Sequence, residues 1–217
     1  DRSGLLPFAW DHAATFRSYV EWALDVPMFL IKRGSRVIPN TAQTFRMFMK
    51  DGQAGTHATL ADWKTHLNTL FPEVRLKNTL EMRGADAQSK DLTCALPALW
   101  KGLIDEPLAL DRAERLSAAI DRGELEAARH RIAVSGLRAT LGSRPVSEWA
   151  TELLKIATEG LERIGLRNER GESEAVHLTR LRSLVAEGKT PAEAVLARMD
   201  ESLPSFEAQV MQAARLF

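Results

Sequence analysis

The sequence is short of several things at once, and each shortage removes a class of function. Its 217 residues contain one cysteine, Cys94, so no internal disulfide braces the chain. That cysteine usage points to a reducing compartment, and a cytoplasmic location is the expectation. There is no surplus of either charge, because 29 Lys and Arg balance 29 Asp and Glu. Neutralising nucleic-acid phosphates needs a cationic excess or at least a basic stripe, so no nucleic acid is expected as partner. No apolar run approaches the roughly 18 residues of a bilayer span, and no membrane partner is expected. A P-loop, a His-Glu-x-x-His pair, paired cysteines and a Gly-x-Ser-x-Gly elbow are all missing. So are repeats of fixed period and low-complexity tracts. The opening Asp1-Arg2-Ser3-Gly4-Leu5-Leu6-Pro7-Phe8 lacks Met and any targeting pattern. It reads as the interior of a domain, so the chain is expected to be a fragment.

What is present is an ordinary globular mixture, 45% hydrophobic and 27% charged. Phe16, Val20, Ala23 and Leu24 fall on one helical stripe that Pro27 terminates. Met28 to Ile31 and Arg36 to Ile38 flank the turn Arg33-Gly34-Ser35, which predicts a hairpin. A helix is expected over Thr41 to Met49, and another over Leu60 to Leu70 with Thr59 as its cap. From Leu96 onward the periodicity is helical, with segments at 97–103, 110–122, 124–131, 146–164, 174–187, 191–199 and 205–216. Ser143-Arg144-Pro145 and the stretch Gly165 to Glu172 read as linkers. Thr190-Pro191-Ala192-Glu193 is a helix start, with an N-cap, Pro at the first position and Glu at the third. The expected class is α+β, with residues 1–95 mixed and residues 96–217 all helical.

The segment from Val74 to Arg83 has period two. Val74, Leu76, Leu80 and Met82 share one side, as a core-facing strand requires. Arg75, Lys77, Thr79, Glu81 and Arg83 share the other. A solvated strand face accounts for that pattern equally well. However, cations gathered around a single carboxylate also suit the wall of a site for an anion and a metal. Bland readings are the expectation for His12, His57, His130 and His177, as solvated surface residues. His66, on an amphipathic helix, is expected to be a core histidine.

Several ordered runs then resemble glutamate–cysteine ligase of the plant and proteobacterial type. They are Asp1 to Phe8, Tyr19-Val20-Glu21-Trp22-Ala23-Leu24-Asp25-Val26-Pro27-Met28, and Phe71-Pro72-Glu73-Val74-Arg75-Leu76-Lys77. The likeness continues in Leu80-Glu81-Met82-Arg83-Gly84-Ala85-Asp86, Cys94-Ala95-Leu96-Pro97-Ala98-Leu99-Trp100, Gly160 to Arg163 and Thr190 to Glu193. The resemblance implies a glutamine-synthetase-like fold, an antiparallel sheet curved into a funnel, of which residues 1–95 would be the C-terminal part. It implies that ATP, with Mg²⁺, activates the γ-carboxylate of glutamate as an acyl phosphate, which the amine of cysteine then attacks. Glu81 would be a metal ligand and Arg83 the catalytic, phosphate-contacting arginine, with Arg75 and Lys77 adding phosphate-binding charge. Tyr19, Trp22 and Met28 would lie on the substrate side, with ordinary core packing as the alternative.

Four departures bear on these roles. Nothing here corresponds to the family's N-terminal half, the expected partner of this chain. Phe29 stands where the family usually has Tyr, and Ala87-Gln88-Ser89-Lys90-Asp91 replaces Gly-Gly-Pro-Trp-Arg-Arg. Leu137 to Leu141 replaces a more basic segment. The alternatives are therefore a ligase with another acceptor amine, or a non-catalytic relative that binds nucleotide, amino acid or a partner ligase. Three further expectations follow: Cys94 is a buried thiol, Glu81→Gln spares folding, and the chain alone is inactive.

Overall fold

Threonine hydroxyls start four of the helices, and each does so by accepting a backbone N–H that the first turn leaves unpaired. They are Thr15, Thr44, Thr59 and Thr190. Three of them form reciprocal capping boxes, with Ser18, Asp62 and Glu193 reaching back to the cap. The computed structural model describes residues 2–11 and 14–215, and the chain divides into two compact units, 1–86 and 87–217. His12 lies outside the described residues. Among the described residues no helix is long and apolar enough to cross a membrane.

The first unit runs β1 (Ser3–Gly4), α1 (Phe16–Asp25), β2 (Leu30–Arg33), β3 (Arg36–Pro39) and α2 (Phe45–Asp51). It continues with α3 (Leu60–Asn68), β4 (Phe71–Pro72), β5 (Val74–Leu76) and β6 (Leu80–Met82). Two apolar clusters form its core. One gathers Tyr19, Ala23, Val26 and Leu70, the other Met28, Ile31, Phe45 and Phe48. Trp63 packs against both. Burying each large side chain contributes about 1.5–3 kcal/mol.

Helix α1 forms where expected but with its inward face shifted: Ala23 and Leu24 of the expected stripe turn to the core, and Tyr19 joins them in place of Phe16 and Val20. Tyr19 and Ala23 are buried, whereas Phe16 is 74% exposed and Val20 40%. Apolar residues stand at 16, 19, 20, 22, 23 and 24, so periodicity alone could not choose between adjacent stripes. The Tyr19 stripe wins because it continues into buried Val26, just past the helix end.

The segment expected as one strand is a hairpin, β5 against β6. Val74 pairs with Met82, Arg75 with Glu81 and Leu76 with Leu80. Partners are an even number of residues apart, so in–out alternation runs unbroken through the turn. A period-two pattern therefore could not reveal the bend, which Lys77 N–H closes onto Thr79 O at 3.0 Å. Every sheet among the described residues has two strands. Three are antiparallel, but β1 pairs with β4 in parallel, through Phe71 N–H to Arg2 O and Glu73 N–H to Gly4 O. The mixed α+β character holds.

The second unit contains α4 (Ala95–Ile104), α5 (Pro107–Ala118), α6 (Arg122–Ser135), α7 (Val146–Ile164), α8 (Thr179–Ala186), α9 (Pro191–Leu196) and α10 (Phe206–Arg215). It is not purely helical. Thr140–Leu141 and Arg144–Pro145 form a small hairpin, β7 and β8, where a linker was expected. The expected helix 174–187 splits into a 3₁₀ segment, Glu174–Leu178, and α8. Helix α7 is the spine, burying Leu154, Ile156, Ala157, Gly160 and Leu161. Helix α4 crosses it backbone to backbone: a Cβ on Gly160 would strike the Gly102 carbonyl, and one on Gly102 would strike the Ala157 carbonyl. Arg112 ties α5 to α7 by reaching Glu152 and Glu159.

That crossing generates a stability prediction. Gly160→Ala should destabilise the second unit by about 1–3 kcal/mol through overpacking, outweighing the roughly 1 kcal/mol of helix propensity that Ala gains. Thermal unfolding followed by far-UV circular dichroism checks it, and an unchanged or raised Tm would refute the close crossing.

Candidate active site

The hairpin sets Arg75 directly opposite Glu81, and the two side chains meet as a fork on a carboxylate. Arg75 Nε donates to Glu81 Oε2 at 2.8 Å and Nη2 to Oε1 at 3.2 Å. Its Nη1 donates to the carbonyls of Asn68 and Leu70 at 3.4 and 3.3 Å, so Arg75 fastens β5 to the chain entering β4. Only 8% of Arg75 is exposed, and a buried guanidinium needs this full set of acceptors. Arg83, one residue past β6, donates from Nη1 to Glu81 Oε1 at 2.7 Å. Its guanidinium carbon stands 5.6 Å from the centre of the Phe71 ring. Hydrogen bonds from Arg75 above all, then from Arg83, hold the Glu81 carboxyl below its usual range against the opposing effect of desolvation.

Of the expected cationic face, the structure brings together Arg75, Glu81 and Arg83. Lys77 sits exposed at the turn. Repulsion among the cations is relieved locally because two guanidinium groups share one carboxylate. The cluster retains net positive charge, and Arg83 is partly open to solvent with further N–H donors on its fork. Such an arrangement can receive an anion.

For Mg²⁺ the donor set is right in kind and short in number. Glu81 supplies one hard carboxylate, and both its oxygens already accept from arginine. No group of three or more His, Cys, Asp or Glu able to hold a metal ion occurs among the described residues.

The residues expected on the substrate side separate. The Tyr19 and Trp22 rings meet edge to face at 5.2 Å, and Tyr19 borders an apolar groove with Phe8, Phe16, Leu76 and Leu80. The Tyr19 hydroxyl is enclosed near the Leu76 backbone without a well-formed hydrogen bond, and burial pushes its phenol pKa up. Met28 belongs to the other cluster, wholly enclosed, with Asn40 Nδ2 donating to its sulfur at 3.4 Å. Sequence reasoning missed Arg2, whose guanidinium carbon lies 3.4 Å from the Phe29 ring centre and whose Nη2 donates to Pro27 O at 2.7 Å. No local pattern signals a contact spanning 25 residues or more.

Two other expectations concern single residues. Cys94 is exposed, not buried. It caps α4 one position outside the inward stripe Ala95, Ala98 and Gly102. His57, His130 and His177 are exposed as expected, and His66 is buried, with Nε2 2.8 Å from Ala23 O. A carbonyl only accepts, so Nε2 carries the proton and Nδ1 is the enclosed nitrogen without a partner. The ring stacks on Phe45 at 5.2 Å.

Residues 1–212 match the family model Glutamate-cysteine ligase family 2 (GCS2). The chain is 40% identical over 199 residues to a protein of Medicago truncatula named glutamate–cysteine ligase, chloroplastic, covering 90% of this chain and 38% of that one. It is 41% identical to glutamate–cysteine ligase A, chloroplastic, of Oryza sativa subsp. indica, covering 90% and 39%. It is 40% identical to the Arabidopsis thaliana protein of the same kind, covering 90% and 37%. The chain thus spans well under half the length of these curated relatives. Their names correct the expected cytoplasmic location, since each is chloroplastic. A lone cysteine indicates reducing conditions but cannot say which reducing compartment.

Two predictions follow from this geometry. Glu81→Gln should lower the Tm of the chain measurably, because it strips the buried Arg75 of its counter-charge; this revises the expectation that folding is spared. The contribution of Glu81 is complete above the usual carboxyl value of 4.5 and disappears as pH falls through the lowered one. The double change Arg75→Met with Glu81→Leu should recover most of the loss, and a Tm unmoved by Glu81→Gln alone would contradict the clamp. Burial, opposed by the Ala23 hydrogen bond and aided by the charge of Arg2, pushes the His66 pKa below its usual 6.5. Stability should therefore be full above that value and decline as pH drops beneath it, where the unfolded chain takes the proton first. Urea titrations between about pH 7.5 and 5 should show this slope flattened in His66→Gln.

Proposed function

The chain belongs to glutamate-cysteine ligase family 2, and from that premise we propose that it is the C-terminal part of an ATP-dependent glutamate–cysteine ligase, the first enzyme of glutathione biosynthesis. The observation that carries the proposal is the clamp in which Arg75 of β5 and Arg83 of the Glu81-Met82-Arg83 run share the Glu81 carboxylate. On this reading the γ-carboxylate of glutamate takes the terminal phosphoryl group of ATP, releasing ADP. The cysteine amine then forms the C–N bond as the acyl C–O bond breaks and phosphate leaves.

Charge builds on phosphoryl oxygens in the first step and on the departing phosphate in the second, so fixed cations lower both barriers. Arg83 would face that charge directly, with Lys77 as a second, exposed cation. Arg75 is too buried to move and serves as a phosphate-side charge fixed in place. Glu81 positions both arginines. Mg²⁺ bound with ATP would neutralise phosphate charge; Glu81 would offer it one oxygen, and its other protein ligands would come from outside the described residues. Tyr19 and Trp22 would wall the substrate side, with Met28 packed behind. The β5–β6 hairpin would be one edge of a glutamine-synthetase-like antiparallel funnel. Residues 1–95 would belong to that catalytic domain and residues 96–217 would form the helical region. The partner of the chain is then the remaining part of the same enzyme, and its substrates are glutamate, cysteine and ATP.

A ligase with another acceptor amine is the second reading. Phe29 favours it, since its ring offers no hydroxyl and one face is covered by Arg2.

The test is an assay for ATP-dependent γ-glutamylcysteine formation in a host lacking its own ligase. The 217-residue chain alone should be inactive, and the complete enzyme active. In the complete enzyme, Arg83→Gln should cut kcat about 100-fold or more with modest change in the KM for glutamate. Full turnover in Arg83→Gln would remove Arg83 from the chemistry, and turnover by the chain alone would mean that the site lies wholly within it.

A further inference from the structure

A cleft of about 410 Å³ opens in the second unit between the Ser89–Leu92 turn and the side of α8 and α9. It shares no residue with the Arg75–Glu81–Arg83 cluster. Three cations line it, Lys90, Arg180 and Arg198, against one carboxylate, Asp91. Its floor is apolar, formed by Leu92, Leu184 and neighbouring α9 residues. We propose that this cleft is a second anion site, which takes the phosphate group of a small phosphorylated molecule on Arg180 and Arg198 and lays its organic body on the Leu92–Leu184 floor.

Five observations carry this. The walls are held in place: Leu92 is buried with Ala95 and Leu184, and the turn is closed by Leu92 and Thr93 N–H groups, each 2.9 Å from Ser89 O. Arg180 is only loosely paired, at 3.6 Å from Asp91 and 3.9 Å from Glu187. Tight pairs elsewhere in the unit, such as Arg163 with Glu106, close to 2.7 Å. An anion of higher charge can therefore compete for the Arg180 fork, whose planar donors match phosphate bidentately. Asp91 is engaged from within the turn, Ser89 Oγ donating to Oδ1 at 2.5 Å. That bond first, with the charges of Arg180 and Arg198 adding to it, keeps the carboxyl ionised, so Asp91 draws the arginines to the rim without neutralising the cleft. Cations outnumber carboxylates in the lining, which suits a phosphomonoester of about −1.5 to −2 near neutral pH. The cleft volume lies in the range for a small organic ligand, roughly 300–1,000 Å³.

The experiment titrates the 217-residue chain with AMP, inorganic phosphate and succinate by calorimetry at constant ionic strength. AMP should bind, inorganic phosphate more weakly because it leaves the apolar floor uncovered, and succinate least. Arg180→Gln and Arg198→Gln should each weaken AMP at least tenfold, while Arg115→Gln, on an exposed side chain of α5 outside the cleft, leaves it unchanged. Lys90 is exposed, so Lys90→Gln serves as a variant that keeps its fold, and it should weaken AMP severalfold at unaltered Tm. Absence of AMP binding at millimolar concentration overturns the proposal. So does binding lost in Arg83→Gln but kept in Arg180→Gln, and so does succinate binding as tightly as AMP.

Discussion

Arg75 is the constraint on which the first unit is organised. A guanidinium cannot shed its proton, so once buried it must find acceptors on every side. It finds them in two backbone carbonyls of the α3–β4 connection and in the carboxylate of Glu81 on the facing strand. The hairpin register follows, because only pairing Arg75 with Glu81 brings the fork onto the carboxylate. That same register sends Leu76 toward the Tyr19 cluster and leaves Arg83 at the strand end, held by the same carboxylate but still open to solvent. A buried ion pair of this sort adds little net stability. What it supplies is position: one arginine locked, a second aimed.

The second unit is organised by an absence instead. At Gly102 and Gly160 the missing side chains let α4 and α7 touch through backbone atoms, which brings Ala98, Leu103, Leu154 and Leu161 into one core. The charged pairs around this core, Lys101 with Glu174 and Arg163 with Glu106, lie at the surface. Pairs of that kind contribute about 1 kcal/mol at most. Packing holds this unit and charge decorates it, the reverse of the emphasis at Arg75.

How much of this was legible in the sequence depended on how far each signal reached along the chain. Caps are local, so Thr59 with Asp62 and Thr190 with Glu193 were readable, and α7 runs over the expected 146–164. The alternation in Val74 to Arg83 sorted the faces correctly and hid the bend, because an even-numbered hairpin preserves parity. The sequence also grouped the residues that meet at Glu81, but not which of them would bond. Lys77 shares the Arg75 face in the alternation, but it lies on the turn and has no planar fork to match a carboxylate. Contacts between distant segments left no trace at all. Arg2 over Phe29, and His66 on Ala23 O, arise from folding over 27 and 43 residues. Exposure of Phe16 and of Cys94 was likewise a choice between neighbouring helical stripes, which only the packed partners decide.

The surface of the first unit bears on the ligase proposal in one more way. An isolated two-stranded hairpin is marginal in water, and stability needs further strands or a packed helix. Here β5–β6 has Leu76 packed against the Tyr19 cluster, yet Leu80 is 61% exposed and Phe16 74%. Both border the same apolar groove, of about 420 Å³, that Tyr19 reaches from beneath. The hairpin therefore carries polar chemistry on one face and unsatisfied apolar surface on the other. A solvated strand, the bland reading of this segment, would have charge outward and its apolar side covered. On the proposed ligase reading, Arg75, Glu81 and Arg83 would turn toward a site in a sheet of more strands, and Leu80 toward packing that these two strands do not supply. This chain spans 38% of the Medicago truncatula relative, and a ligase funnel assembled from the remaining length would supply both the acidic ligands that Glu81 lacks and the apolar cover that Leu80 lacks.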